Sequence, residues 1–544
     1  MELTAAADAP AEAPRRGGHA AGPKAEGDAA PAPSAAGGAE GSRLASEAAL
    51  LRERPVTLAL LTATLVFSYM DRQVLASLFE PIKSDLKLSD AELGLLGGVA
   101  VALFGACFGV HIARLADRRP RRATVLAACF LVWSVATAAG GAARSFGALL
   151  SARIAVGVGE AGAIPISLAL LADAYPQAQR SRAMSVYYTG ASPFAFAPCV
   201  ARSSSARGIP GIPGGIMLGL FLGGWLSQGL GWRATLCVVG APGAALAALV
   251  YMRLREPPRG HADAADARAA AAADGRASPV DDADDDDNAE LLAGRGEASV
   301  IARRRALPPP LKLQLLLLWR CRTFGYVLAG GALNLFAAIG TFAFMPSLLA
   351  RRFGTAPGVA GSALSAVMIF AAASTLAGGA AADAAFQRRR SLGVYALLPA
   401  AVIALALPFG VAMCAAPGVG ATVALFLPPT AAANIGSGPL RCLVSALVPA
   451  NSRGAANSVL EVAIGLAGGL GPLAVGAASD ALQRRGRSAA DALRLAMLAV
   501  QFAMLPATLC LWRASHTAEA DARRGFAPRG PALDDDGSGE NPVF

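Results

Sequence analysis

Asp71, Arg153 and Glu160 stand in stretches of sequence otherwise too apolar to hold a charge. A charge at mid-bilayer depth costs roughly 2.5–3.5 kcal/mol even on the lenient insertion scale, so such residues need partners or a water-filled cavity. Arg153 and Glu160 are seven positions apart. Two helical turns put them on one face, about 10 Å apart along the axis, too far for an ideal direct pair. Asp71 lies toward the end of its apolar stretch with Arg72 beside it. One chemistry open to the set is a cavity site: Arg153 binds an anionic head group while Asp71 or Glu160 takes up and releases a proton, burial raising the carboxyl pKa toward physiological pH. The other reading is a static Arg153–Asp71 or Arg153–Glu160 bridge that only holds its helix in place.

Two further sets of charges invite a role. Arg441 and Glu461 fall in apolar stretches of the second half of the chain and form a possible second-half site. Asp117 ends one apolar stretch and is followed by Arg118, Arg121 and Arg122; Asp383 ends another and is followed by Arg388, Arg389 and Arg390. The spacing of Pro176, Arg180 and Ser185 is matched by Pro449, Arg453 and Ser458. Two halves descended from one six-helix unit would give this repetition. An Asp at such a helix end can pair with loop arginines and with the N-terminus of a neighbouring helix, so Asp117 and Asp383 are expected to act as a gate.

The elements that must position these residues are legible in the composition. Of 544 residues 54% are hydrophobic and only 16% charged, and the mean hydropathy is +0.47, which excludes an ordinary soluble domain. Apolar stretches recur at roughly the 20-residue length that spans a bilayer as helix, about twelve of them, and the absence of period-2 alternation excludes a β-barrel. The expected fold is an all-α membrane protein with two pseudo-symmetric six-helix bundles. Residues 1–55 read as a disordered cytoplasmic tail, 56–253 as the N-terminal bundle, 254–322 as a cytoplasmic linker, 323–513 as the C-terminal bundle and 514–544 as a second disordered tail. Arginines in the short loops, Arg118 to Arg122 and Arg388 to Arg390 among them, place those loops and the N-terminus in the cytoplasm, although Arg484, Arg485 and Arg487 run the other way. The same loops account for the net charge of +10, so no nucleic-acid partner is needed.

Several motifs then converge on a family. "LADRRPRR" from Leu115 resembles the loop signature of the major facilitator superfamily, with Pro120 and Ala113 where that signature has glycines. "FSYMDRQVLA" from Phe67, "RIAVGVGEAG" from Arg153, "LGWRATL" from Leu230, "LREPPRG" from Leu254 and "GPLAVGAASDAL" from Gly471 are similar to the spinster branch, in the same order. The resemblance covers about residues 56–513 and implies the major facilitator fold. It also implies secondary active transport of a lysophospholipid, sphingosine-1-phosphate or related sphingolipid by alternating access, in several members with proton coupling. It carries the substrate and proton roles to Asp71, Arg153 and Glu160. The implied partners are a small-molecule or lipid substrate, protons and membrane lipids, with the protein acting as a monomer. Soluble organic anions or drugs, or a non-transporting sensor of the same fold, remain as alternative functions.

No phosphate loop, nucleophile elbow or metal-ligand spacing occurs, so neither an enzyme nor a metal or other cofactor is expected. The eight cysteines are scattered without redox spacing. One stretch conflicts with the fold: residues 193–214, and Phe194 to Gly214 in particular, bring three prolines, two arginines and three consecutive serines into the fifth span. Lipid does not tolerate that backbone, so the stretch reads as a retained intron or gene-model error, or else as a loop extruded at the membrane surface. In the linker, Asp287 to Leu292 fits an acidic dileucine sorting pattern, which leaves an endolysosomal or a plasma membrane location open.

Overall fold

The computed structural model describes residues 35–176, isolated positions between 179 and 187, then 211–257, 318–448 and 453–524. Nearly all of the doubtful stretch Phe194 to Gly214, the acidic run and sorting pattern of the linker, Arg180, Ser185 and Pro449 lie outside the described residues. The chain divides into two units, Met1–Leu51 and Arg52–Phe544. In the first, only helical backbone from Ala35 is described.

Every regular element among the described residues is helical. The first half comprises α1 (Ala35–Ser77), α2 (Phe79–Leu86), α3 (Asp90–Gly94), a π turn (Leu95–Val99), α4 (Ala100–Arg118), α5 (Arg122–Gly141), α6 (Phe146–Ala161), α7 (Ala163–Ala174) and α8 (Gly211–Arg253). The second comprises α9 (Arg322–Phe353), α10 (Pro357–Arg389), α11 (Val394–Ala415), α12 (Val419–Ile435), α13 (Ser437–Leu447), α14 (Arg453–Arg484), α15 (Ala489–Gln501) and α16 (Met504–Arg524).

Among the described residues ten segments are long and apolar enough to cross a membrane. The expected dozen differs for two reasons. Helix α8 is two rods merged across Gly231, whose φ of 77° and ψ of 165° break the spiral in a conformation that suits glycine. Helix α1, which carries Asp71 and Arg72, is not among the ten. Both expected tails also lose residues to helix. Ala-, Glu- and Leu-rich sequence extends α1 back to Ala35, because those residues favour helix by intrinsic propensity. Helix α16 continues past residue 513 to Arg524, with Ala514 and Ala518 buried against the bundle.

Side-chain caps mark some of the helix starts. Ser89 and Glu92 form a reciprocal capping box on α3, and Ser145 and Ser488 cap α6 and α15. One buried apolar cluster, including Leu61, Leu65, Phe130, Trp133 and Leu170, lies within the first half. A second runs through both halves: Phe79 and Phe344 meet there with ring centroids 5.3 Å apart. Lipid tails are as apolar as leucine, so close packing rather than the flight from water must hold such helices together. The ladder Gly215, Gly219 and Gly223 shows how: a β-carbon on each would strike the α1 backbone at Val66, Met70 and Val74.

The halves touch at the end of the bundle opposite the loop Arg118 to Arg122. There α3 and the π turn lie on α14, and α8 on α10, where the Ser365 hydroxyl donates to the Met217 carbonyl at 2.8 Å. Toward the arginine-rich end the side chains of Arg72 on α1, Arg441 on α13 and Glu461 on α14 are 40%, 48% and 52% exposed. The space between the halves therefore opens on that side.

Candidate functional site

Asp71 and Arg153 form a sealed pair inside the first half. Arg153 Nη1 donates to Asp71 Oδ2 at 2.9 Å, and the Thr137 hydroxyl donates to Asp71 Oδ1 at 3.0 Å. Asp71 is 1% and Arg153 3% exposed. In this conformation Arg153 does not reach the space between the halves; of the two bridges expected for it, the one to Asp71 is present and the one to Glu160 is not.

Glu160, on the same helix α6, is held instead by Arg72. Both Nε, at 2.8 Å, and Nη2 of Arg72 donate to Glu160 Oε2. Glu160 Oε1 is buried without a hydrogen-bond partner among the described residues. The Arg72 side chain is 40% accessible although protein surrounds it, so the water it meets is that of the cavity. Its guanidinium lies 5.5 Å from the centre of the Tyr69 ring.

Across the cavity, Arg441 Nε donates to Glu461 Oε1 at 2.6 Å, and about half of each side chain is exposed. Arg441, rather than Asn457, is therefore the charged partner of Glu461; Asn457 donates to the Ser445 hydroxyl. Tyr69 lies within electrostatic reach of Arg72, Glu160, Glu461 and Arg441 together.

The expected gate residues are not brought together. Asp117 and Arg118 are exposed, and no ion pair holds them among the described residues. Arg121 lies over the Tyr251 ring and donates to the Tyr251 carbonyl at 3.4 Å. Arg122 is buried, reaching Asp173 of the first half at 2.5 Å and Glu256, three residues past the end of α8, at 2.6 Å. Asp383 accepts a hydrogen bond from the Tyr395 hydroxyl at 3.2 Å. The arginine-rich end is open in this conformation, which leaves these groups apart.

The model of the Major Facilitator Superfamily matches residues 61–336, half of the chain. The chain belongs to this superfamily. It is 36% identical over 185 residues to an MFS-type efflux pump of Mycolicibacterium smegmatis, covering 34% of this chain and 38% of that protein. It is 30% identical over 209 residues to protein spinster homolog 1 of Homo sapiens, covering 37% and 35%. The matches thus span well under half the length of these curated relatives. Over the whole fold it superposes on the crystal structure of a bacterial homolog to the human lysosomal transporter spinster, in an inward-facing and unoccupied conformation. That TM-score is 0.66 at 24% identity, over 86% of this chain and 98% of the other. The protein is therefore a multi-pass membrane protein with the all-α major facilitator fold, resembling the spinster branch.

In this superfamily member the halves are joined by a network absent from the sequence expectations. Asp90, fully buried, accepts from Arg351 Nη1 at 2.8 Å and Nη2 at 2.6 Å, from Lys83 at 2.5 Å, from the Ser479 hydroxyl at 2.7 Å and from Gln483 at 2.8 Å. Arg351 also reaches Glu80 at 2.9 Å. Asp480 in return accepts from the backbone N–H groups of Asp90 and Ala91 at 2.9 and 2.8 Å. Glu80, Lys83 and Asp90 belong to the first half and Arg351, Ser479, Asp480 and Gln483 to the second, so this network closes the far end. Its charges sit at the ends of apolar stretches, where loop charges are ordinary. The capping box at Ser89 and Glu92 and the motif containing Asp480 were the signals available.

Proposed function

We propose that this transporter carries an amphiphile with an anionic head group, a lysophospholipid or sphingolipid, by alternating access coupled to protons. The observation that carries the reading is the Arg72–Glu160 pair: an arginine open to the cavity whose carboxylate partner keeps one buried oxygen unpartnered. A head-group phosphate reaching Arg72 would compete with Glu160 for the guanidinium. Glu160, losing its counter-charge in a buried place, would then take up a proton. Arg441 and Glu461 supply a second such pair on the opposite wall, so the head group can be passed between the halves as they rock. Asp71 and Arg153 hold α1 and α6 in register beneath this exchange. One chain holds both halves, so a monomer suffices.

The lipid class is what the resemblance of the motifs to the spinster branch implies, and a spinster homolog is among the relatives. A second reading, export of soluble organic anions or drugs, is favoured by the relative named an efflux pump. Uptake of labelled lysophospholipid and sphingosine-1-phosphate into proteoliposomes, with and without a proton gradient, separates them. Gradient-dependent lipid uptake that is lost in Arg72→Ala and becomes gradient-independent in Glu160→Gln is the expected result. No lipid uptake, with transport of a soluble anion instead, would overturn the lipid reading.

A further inference from the structure

We propose that the π turn Leu95–Val99 is a hinge that couples the ionic closure of the far end to the backbone seam beside it, and that opening the far end converts this turn to α-helix. Asp90, Gly94, Gly98 and Ala102 all face α14. Asp90 bonds Ser479 and Gln483; a β-carbon on Gly94 would lie within Pro472, one on Gly98 within Gly469, and Ala102 meets Gly469. Four residues at spacings of four should not share a seam. At 3.6 residues per turn, each step of four drifts about 40° around the axis, so Asp90 would stand roughly 120° away from Ala102. The π turn removes the drift. Ala100 N–H bonds the Leu95 carbonyl, one residue further back than in an α-helix. The extra residue turns the Asp90 end back by about 100°.

The seam itself admits no side chain. Backbone meets backbone from Gly94 to Pro472 and from Gly98 to Gly469, and Pro472 interrupts the hydrogen-bond ladder of α14 at the same level. A π turn is a single-turn irregularity that recurs at functional sites. Returning it to α geometry would rotate Asp90 away from Arg351, Ser479 and Gln483 while Gly98 and Ala102 kept their faces. Ionic closure and seam are thus both satisfied only with the π turn in place, and breaking the first releases the helical register.

This hinge presumes alternating access but no particular substrate. Backbone hydrogen exchange on the full chain in lipid nanodiscs reads it without an uptake assay, so its failure is distinguishable from failure of the lipid reading. Asp90→Asn weakens the ionic closure and leaves the turn's own residues intact. Its expected effect is faster exchange across Leu95–Ala100, by about tenfold or more, because each passage between π and α geometry breaks the turn's hydrogen bonds, with Gly469–Gly476 on the opposite side of the seam changed by less than about twofold. Equal acceleration of both segments would mean simple separation of the halves, and no acceleration would mean a static turn; either overturns the hinge. Deletion of Gly97 regularises the helix and gives a second reading. In protein that keeps its wild-type elution and melting behaviour, Leu95–Ala100 should exchange slowly and the far end should stay open to a membrane-impermeant label. A closed far end in that variant would also overturn the proposal.

Discussion

Asp71 and Arg72 are adjacent in the chain and serve different compartments. Asp71 turns into the first half, where Arg153 and Thr137 meet it at 2.9 and 3.0 Å. Arg72 turns into the cavity and holds Glu160. One residue along a helix is a rotation of about 100°, enough to seal one ion pair and leave the other wet.

The sealed pair should matter for stability before it matters for transport. Arg153→Ala leaves Asp71 as an unpaired buried charge, and breaking a buried pair in this way costs about 3–5 kcal/mol. Thermal unfolding in detergent should show a large drop, mostly restored when Asp71→Asn is added. Wild-type melting with lost uptake would instead make Arg153 a substrate-binding residue.

The far-end network predicts a shift in conformational balance. Arg351→Ala removes the bonds to Asp90 and Glu80, and a bias of about 2 kcal/mol moves a two-state equilibrium roughly thirtyfold. Spin labels introduced as non-natural residues at Ser84 and Arg487 should report a new, longer distance. An unchanged distance distribution would show that this network does not hold the end shut.

Arg441 and Glu461 are half exposed, so their pair should add less than about 1 kcal/mol to stability. Arg441→Ala should therefore melt near the wild-type temperature while uptake of the anionic substrate falls about tenfold or more, as expected when a charge-assisted contact is lost. Loss of stability with proportionate loss of uptake would assign the pair a structural role.

At the far end Asp85, outside the spans, accepts hydrogen bonds from Arg233 and Trp232, which hold its carboxyl below the usual carboxylate range. A carboxyl lowered by folding contributes stability above its unfolded pKa, near 4, and loses it as the pH falls through the folded value. Asp85→Asn should thus melt below wild type at neutral pH, and the two curves should converge as the pH is lowered through the acid range. A difference independent of pH would place the effect elsewhere than in the charge.

The sequence by itself determined the membrane class, the helical fold and the superfamily, because each rests on local quantities: runs of apolar residues of bilayer length and motifs within ten or so positions. It also marked Asp71, Arg153 and Glu160, since a charge in an apolar run stands out wherever it points. Tertiary structure alone decided the partners. Arg153 chose Asp71, Glu160 chose Arg72, and Asp90 met Arg351 from 261 positions away and gained a bond from Ser479, 389 positions along. Which carboxylate an arginine reaches depends on how helices rotate and cross, and no local pattern encodes that. The π turn is the clearest case. Gly97 and Gly98 read as two more small residues in a glycine-rich chain, and only the backbone pressed against α14 shows why the helix needs one extra residue there.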